Sequence, residues 1–366
     1  MGSAGRALLL AAAVLLSEHA VAQTAKGERV VPPSFPWTTE PLDAVYGHLT
    51  EGGFQEPVGV FFESKARELY VADSRNGLIG IFDDGRIPVF AFGGAAQLIE
   101  PRAVFATQDG AIYVLDARQS ELRAFTYRGE PKPSLRFARP PRPEKKPKSA
   151  KADQPATRDG KPGAADAKDE KALDPVLRIG AFARDSKGRW IVGDLDDGRV
   201  LVYDAELRFE LELEPSARAK RFQSPVDIAV SPAGLVAVAD MQATPAIHVY
   251  GADGKLLAAF GDRDIGLMNF TAPIAVVFDE REFLYCVDLL RHDVKVFTAK
   301  GEFVHHFGGW FTPETRGKAP GEMLYPTDIA IDPEGPIYVA ERFGQRVQAF
   351  DRKPKDAPGP PAEKRQ

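Results

Sequence analysis

Two kinds of residue in this sequence could bind a metal ion or move a proton: a few histidines, and a series of acids that end apolar runs. His305 and His306 are adjacent in the segment EFVHHF, and imidazole is a common metal ligand. Neighbouring side chains on a β-strand project to opposite faces, so these two rings cannot bind one ion together. His292 lies in a predicted loop, between Arg291 and Asp293, where a ligand could reach it. Its alternative role is structural.

The acids recur once in each of six segments of the chain. They are Asp73, Asp116, Asp194, Asp240, Asp288 and Glu341. Hard cations such as calcium prefer clustered oxygens, so a ring of carboxylates would suit one ion. A single acid at each strand end is also expected of a structural device, because the carboxylate accepts backbone N–H groups in the following turn. That interpretation accounts for all six acids at once, and we predict no cofactor; a single calcium or zinc ion, without assigned ligands, is the alternative.

These acids belong to an internal repeat. Asp288 is preceded by Pro273 and followed by Phe297, and similar proline–acid–aromatic spacings recur about every 40–50 residues along the chain. One copy has Ile179 in place of the proline. Each copy contains short apolar runs separated by turn residues, a pattern typical of the blades of a propeller. We therefore predict an all-β fold, a six-bladed β-propeller over residues 41–353.

The last copy offers only three strands, TDIAI, PIYVA and RVQAF. The segment AVYGHL, at residues 44–49, precedes the first copy and resembles a fourth strand. We predict that this N-terminal segment is the outer strand of blade six, which removes two exposed sheet edges. Residues 23–40 are then a linker.

Three further segments are predicted to lie outside the propeller. Residues 1–22 have one early positive charge, a short apolar core and an Ala-Val-Ala cleavage site, which together indicate a signal peptide and export to the periplasm or beyond. The apolar core is too short to span a bilayer. Residues 138–174, between blades two and three, and residues 354–366 are rich in proline and charge, and we predict that both are disordered.

Two stretches carry a resemblance to a known family. PVGVFFESKARELYVADSRNGLIGIFDDGRIPVFAFGG (57–94) and PTDIAIDPEGPIYVAERFGQRVQAFD (326–351) resemble NHL repeats. The resemblance implies a six-bladed propeller of the exported, bacterial type. It also implies a structural role for His292, because the equivalent connection in such repeats often carries His or Asn. A fold of this kind says much less about activity.

The resemblance also implies where a partner would bind, because connections from second to third strands and between blades share one face of the propeller. Predicted binding residues in these connections of blades one, five and six are Arg75, Asn76, Arg291, His292, Arg342 and Arg346. Trp310 and Phe311 lie in the loop after blade five, where aromatic side chains make effective anchors. Their alternative role is packing onto the adjacent blade.

Three classes of function remain. The leading prediction is a non-enzymatic exported scaffold, monomeric unless in a complex, that binds a protein, peptide or glycan. The second is a metal-dependent propeller lyase or lactonase-like hydrolase, although the single cysteine and scattered histidines depart from the zinc and disulfide pattern of the lyases. The third is an accessory subunit of an extracytoplasmic envelope or redox complex. The net charge of −5 argues against nucleic acid as a partner. Cys286, in an apolar run, is predicted to be a buried hydrophobic residue.

Overall fold

Short strands joined by turns and loops make up the described chain. The computed structural model describes residues 35–48, 52–142 and 175–355, apart from residues 96, 118, 119, 313, 316 and 318, together with two short paired strands, β1 (Ala22–Gln23) and β2 (Arg29–Val30). A long strand, β3 (Trp37–Val45), follows. The next two strands, β4 (Gly47–His48) and β5 (Gly52–Gly53), pair with each other.

Five consecutive groups of four strands form the first five blades. Blade one has β6 (Pro57–Glu63), β7 (Glu68–Asp73), β8 (Leu78–Phe82) and β9 (Pro88–Gly93). Blade two has β10 (Ala103–Ala106), β11 (Ile112–Leu115), β12 (Leu122–Phe125) and β13 (Pro131–Leu135). Blade three has β14 (Ile179–Arg184), β15 (Trp190–Asp194), β16 (Arg199–Tyr203) and β17 (Phe209–Leu213). Blade four has β18 (Pro225–Val230), β19 (Val236–Asp240), β20 (Ile247–Tyr250) and β21 (Leu256–Phe260). Blade five has β22 (Pro273–Phe278), β23 (Leu284–Asp288), β24 (Asp293–Phe297) and β25 (Phe303–Gly308).

Blade six is assembled from both ends of the described chain. Its first three strands are β26 (Pro326–Ile331), β27 (Ile337–Glu341) and β28 (Arg346–Pro354), and β3 pairs antiparallel with β28 as the fourth. The register runs from Val347 opposite Val45 to Pro354 opposite Trp37. The predicted closure by an N-terminal strand is confirmed, but the strand is residues 37–45 and not 44–49. Residues 37–40, which we placed in the linker, therefore belong to the ring, because they pair with the second half of β28 up to Pro354.

Each blade is an antiparallel sheet with its strands in sequence order from the inside outward. The first strands of neighbouring blades contact one another closely around the central channel at five of the six junctions, the exception being that between blades two and three. The middle strands are buried on both faces, as in β15, β16, β19, β20, β23, β24 and β27. This agrees with their nearly continuous apolar runs, because a sheet covered on both sides has no polar face. The predicted six-bladed, all-β architecture is confirmed.

Apolar packing between blades holds the ring together. Among the described residues, one buried cluster lies between each pair of neighbouring blades, including blades six and one. Phe35, just before β3, packs edge-on against Phe283 at 5.3 Å and stacks on His305 at 4.8 Å. The N-terminal segment thus covers the junction of blades five and six as well as completing a sheet.

The ends of the segment between blades two and three are attached to blade three. Ala138 pairs with Val176 in an isolated β-bridge, and Arg139 forms an ion pair with Asp194 at 2.7 Å. Arg142 forms another with Asp197. Residues 138–142, which we predicted to be disordered, therefore contact the ring, while residues 143–174 lie outside the described residues.

The predicted disordered tail at residues 354–366 begins too early, because Pro354 belongs to β28, opposite Trp37, and Lys355 donates its backbone N–H to the Pro36 carbonyl at 3.0 Å. Residues 356–366 and the predicted signal peptide, apart from Ala22 in β1, lie outside the described residues. In the part of the chain that is described, no helix has the length and apolarity needed to cross a bilayer.

Candidate functional site

A cavity of about 720 Å³ opens at one end of the central channel. It lies on the face formed by the second-to-third connections and the connections between blades; we call this the loop face. The cavity is lined by residues of all six blades and of their connections. Its volume falls within the range of about 300–1,000 Å³ that is usual for small-molecule sites.

A β-bulge at the top of the first strand contributes to the cavity wall. In blade one, Pro57 is opposite Asp73 while Gly59 is opposite Ala72, so Val58 is an extra residue in the ladder. The same register shift occurs in blades three to six. Bulges at such rims re-aim side chains. The residue after the proline position lines the cavity in every blade: Val58, Arg102, Gly180, Val226, Ile274 and Thr327.

The residue after this rim position is acidic in only two blades, at Asp227 and Asp328; we call these the channel acids. Asp227 Oδ2 accepts the backbone N–H of Val276 in blade five at 2.7 Å, and Asp328 Oδ2 accepts that of Val60 in blade one at 2.7 Å. Each also accepts the N–H of the residue that follows it, at 2.9 and 2.8 Å. The other four blades have Gly59, Ala103, Ala181 and Ala275 at this position. The channel acids thus connect neighbouring blades and border the cavity.

Protein surroundings make ionisation of the channel acids unfavourable. Burial raises the pKa of Asp227 above its usual range, and burial together with the negative charge of Asp227 raises the pKa of Asp328. Two backbone N–H groups on each carboxyl act in the opposite direction but do not cancel this effect. Raised carboxyl pKa values in a cavity are common at binding and catalytic sites.

Three arginines and two glutamates surround the cavity mouth. Glu56 is shared by Arg75, at 4.0 Å, and Arg342, at 3.1 Å, and Glu100 lies 3.7 Å from Arg102. The arginine side chains are 68%, 46% and 51% exposed in that order. Within the described residues, the guanidinium groups of Arg75 and Arg102 donate no hydrogen bond. Their donors are therefore open to a ligand.

A partly exposed group of aromatic rings lies beside the mouth, over blades five and six. The ring of Trp310 lies 4.3 Å from that of His292, which lies 4.7 Å from Tyr325, and Tyr325 packs edge-on against Phe343 at 5.0 Å. Phe311 lies 5.5 Å from His292 and completes this aromatic cluster. Trp310 is 64% exposed and Phe343 is 53% exposed. Arg342 connects the cluster to the cavity, because its guanidinium lies 5.4 Å from the Phe343 ring.

Two of the predicted binding residues need correction because they are buried. His292 is only 1% exposed, and its Nδ1 lies 3.0 Å from the Met323 carbonyl oxygen. Burial lowers the pKa of His292, so its ring supports Trp310 as a neutral imidazole. Arg346 is 4% exposed and forms an ion pair with Glu341 at 2.8 Å.

The other predicted binding residues divide into two groups. Arg75 and Arg342 line the cavity, and Trp310 and Phe311 belong to the aromatic cluster. Asn76 donates to Asp73 Oδ2 at 2.7 Å, which is a structural contact. Arg291 donates to the Gly266 carbonyl at 3.3 Å and lies outside the cavity lining.

The six repeat acids are buried and hydrogen-bonded. Most accept backbone N–H groups of the preceding connection between blades, as Asp288 does from Thr271 and Ala272 at 2.8 and 3.0 Å. Several also bond to polar side chains; the pairs are Asp73 with His48, Asp194 with Arg139, Asp288 with Lys295, and Glu341 with Arg346. We predicted that these acids mainly accept backbone N–H groups of the turn that follows them. Such hydrogen bonds do occur, but they add to those with the preceding connection. The repeat acids thus tie each blade to the connection that enters it.

The adjacent histidines lie on β25 and do not share a partner. His305 Nε2 lies 2.9 Å from Thr39 Oγ1 in β3, whereas His306 is exposed. Cys286 is fully buried, and burial raises the pKa of its thiol. In the described residues, no group of three or more His, Cys, Asp or Glu side chains is arranged to hold a metal ion.

Sequence reasoning missed the channel acids. Their signal is visible in SPVDIAV and YPTDIAI, where an acid stands two residues after the repeat proline. A comparison of this position between copies would have found them, because an acid replaces Gly or Ala in two copies only.

Comparison with known proteins finds similarity in fold to solved structures. No family model and no curated protein matches it. Among solved structures, a virginiamycin B lyase from Staphylococcus aureus is 12% identical and covers 86% of this chain and 99% of its own, with a TM-score of 0.51. A streptogramin B lyase is 12% identical, covering 87% and 98%, with a TM-score of 0.52. A protein of unknown function from Bacteroides thetaiotaomicron is 13% identical, covering 89% and 80%, with a TM-score of 0.56. Likeness at this identity shows the propeller fold alone, and the NHL-repeat resemblance stays a prediction.

Proposed function

We propose that this chain is an exported propeller that binds a protein, peptide or glycan through its loop face and does not itself catalyse a reaction. The observation that carries the proposal is the continuity of two features. The aromatic cluster presents Trp310 and Phe343 to solvent, and Arg342 extends from Phe343 to the cavity mouth. A partner that contacts the rings is therefore in reach of the cavity.

The aromatic cluster has the properties of a preformed anchor. Contiguous groups of exposed apolar side chains are uncommon on surfaces that bind nothing, and Trp and Arg are enriched among residues that dominate binding energy. Trp310 is supported from below by the buried ring of His292. A supported ring loses less conformational freedom on binding than a mobile one.

Export is supported by the leader predicted at residues 1–22. An accessory subunit of an envelope or redox complex would use the same face, with another protein as the partner.

A second candidate is a lyase or hydrolase that works in the channel, with or without a metal ion. The channel acids favour it, because carboxyl groups with raised pKa values are suited to proton transfer. The similar solved structures include proteins named as lyases. At this identity, however, their activity does not transfer to this chain.

The proposal is tested with a displayed random peptide library and a glycan array, each probed with the purified chain and with the Trp310→Ala variant. We expect selective binders whose affinity falls about 10–100-fold in the variant, as for anchor residues that contribute about 1.5–3 kcal/mol. The matched control is Phe209→Ala, an exposed aromatic residue on the outer strand β17.

The two variants separate the outcomes. Binders that lose affinity equally in both variants, or no selective binder in either format, would overturn the proposal. Turnover of a cyclic depsipeptide or lactone panel that disappears in Asp328→Asn would instead support the enzyme.

A further inference from the structure

We propose that the cavity at the channel mouth binds a short apolar peptide with free ends, its carboxylate at the rim arginines and its ammonium group at the channel acids. This inference rests on the proposed binding function and deepens it by naming a ligand class. The ligand is identified by the order of charges and apolar surface along the cavity.

The outer end of the cavity offers hydrogen-bond donors to an anion. Arg75 and Arg102 come from blades one and two, and their guanidinium groups donate no hydrogen bond within the described residues. Arg342 adds a third cation, and it shares the single carboxylate of Glu56 with Arg75. Arginine presents two parallel donors that match a carboxylate. The rim therefore suits a carboxylate-bearing end.

The acids inside the channel offer acceptors to a donor group. Asp227 and Asp328 each accept two backbone N–H groups, whereas a carboxylate has about four acceptor positions. About half of their capacity is thus unused. An ammonium group between them would supply donors and offset the repulsion that makes their joint ionisation unfavourable.

An apolar part of the wall lies mainly on blades two to five and is formed by Leu115, Leu195, Val226, Met241 and Ile274. The rest of the uncharged lining is made of small and hydroxyl-bearing residues: Val58, Ser74, Ala103, Gly180, Ser224 and Thr327. The apolar part favours an apolar side chain, at roughly 25 cal/mol for each Å² removed from water. A neutral polar ligand such as an oligosaccharide would satisfy neither this wall nor the separated charges.

The overall charge of the lining agrees with a zwitterion. Four acids, Glu56, Glu100, Asp227 and Asp328, face three arginines, so the lining has a net charge of −1 when all are ionised and of +1 when both channel acids are protonated. Binding of a zwitterion leaves this net charge unchanged, and it pairs the ligand carboxylate with the arginines and the ligand ammonium group with the channel acids. A dianion or a dication would leave one end of the cavity opposed by a like charge.

The experiment is isothermal titration calorimetry of the purified chain with unprotected tripeptides built from Leu and Phe. The same peptides are also tested with an N-acetyl group or a C-terminal amide. We expect the free peptides to bind, and either blocking group to weaken binding about 10-fold or more, as expected for loss of a charged hydrogen bond of about 1.5 kcal/mol or more.

Two double variants assign each end of the peptide. Arg75→Gln with Arg102→Gln should abolish the penalty of the C-terminal amide and keep that of the acetyl group. Asp227→Asn with Asp328→Asn should do the reverse. The matched control is Arg218→Gln, whose exposed side chain pairs with Asp262 away from the cavity lining.

No heat with any free tripeptide at millimolar concentration, or equal affinity for free and doubly blocked peptides, would overturn this inference. Selective binders in the displayed library, lost in Trp310→Ala, together with failure of the tripeptides would overturn this inference alone. Failure of both experiments would overturn the binding function as well.

Discussion

Blade four contains two aspartates with different surroundings. Asp240 is fully buried and accepts four backbone N–H groups, those of Gln223, Ser224, Gln242 and Ala243, at 2.6–3.0 Å. Asp227 accepts two and borders the channel cavity. The two carboxylates differ in how many of their hydrogen-bond acceptor positions are left unused. A carboxylate whose acceptor positions are filled by its own backbone holds the fold, whereas one with positions left over beside a cavity is available to a ligand.

The same contrast separates the arginines of the loop face. Arg346 is buried, and it donates to Glu341 and to the carbonyls of Gly317 and Glu322. Arg75 has its one ion pair at 4.0 Å and is largely exposed. Arg346 is the first residue of β28 and is held by hydrogen bonds within the fold, whereas Arg75 lies within the second-to-third connection of blade one and keeps its guanidinium donors free of such bonds within the described residues.

The largest effect should come from removing the two aspartates of blade four in turn. We expect Asp240→Ala to cost about 3–4 kcal/mol of unfolding free energy, because four backbone donors, that of Ala243 buried and the other three part-buried, lose their acceptor. Asp227→Ala should cost less than about 1 kcal/mol, because water in the channel can replace it and Ala already stands at the equivalent position of blades two, three and five. Urea denaturation followed by tryptophan fluorescence measures both. Equal losses would remove the distinction between the two classes of acid.

A smaller effect, of opposite sign for the two classes, should appear with pH. Burial acts to raise the pKa of Asp73, but hydrogen bonds from His48, from the backbone of Glu56 and Gln55 and from Asn76 lower it overall. A lowered pKa contributes stability above the unfolded value near 3.9, and that stability is lost as the pH falls. Asp73→Asn should therefore cost more at pH 7 than at pH 3, by on the order of 1 kcal/mol.

For the channel acids, the dependence of stability on pH has the opposite sign. Their raised pKa values give a contribution that is fully present below pH 4 or so and is lost as the pH rises through the folded values. The difference in unfolding free energy between the double variant Asp227→Asn, Asp328→Asn and the wild type should therefore shift in favour of the variant as the pH rises from 4 to 8, by on the order of 1 kcal/mol. Denaturation midpoints across this range measure it. A change of the same sign as that of Asp73→Asn would contradict the assignment.

The smallest effect should be that of the rim arginines on stability. We expect Arg75→Gln to change the unfolding free energy by no more than about 0.5 kcal/mol, because an exposed pair at 4.0 Å contributes little. Thermal unfolding measures this, with Arg346→Gln as the comparison that should destabilise clearly. A marked loss in Arg75→Gln would show that the rim is part of the structural framework.

Most of the fold could be predicted from local patterns. Of the strands predicted for the last copy, TDIAI lies within β26, PIYVA is within one residue of β27, and RVQAF forms the first part of β28. These predictions succeeded because continuous apolar runs between turn residues leave few other arrangements. The closing strand was found but shifted, since WTTEPLDAV contains a proline and four charged or hydroxyl residues and has no strand pattern of its own. Pairing with β28 makes it a strand.

The candidate site could be predicted only in part. The loop face and Arg75, Arg342 and Trp310 were identified from the repeat, because the connections of each copy are visible in the sequence. The burial of His292 and Arg346 could not be, since it depends on the loop at residues 309–325 and on Glu341, which lie in other connections.

The sequence by itself determined the number of blades, their strands and the acid that anchors each connection, because all of these follow from spacings within one copy. Only the tertiary structure decided which polar side chains form all their hydrogen bonds within the fold and which face the cavity. Closing the ring brings residues from six copies to one axis, and in five of the six blades a bulge turns one residue of the first strand toward it. Residues from other copies supply or fail to supply hydrogen-bond partners to each polar side chain. The candidate site therefore depends on the closed ring and cannot be read from a single repeat.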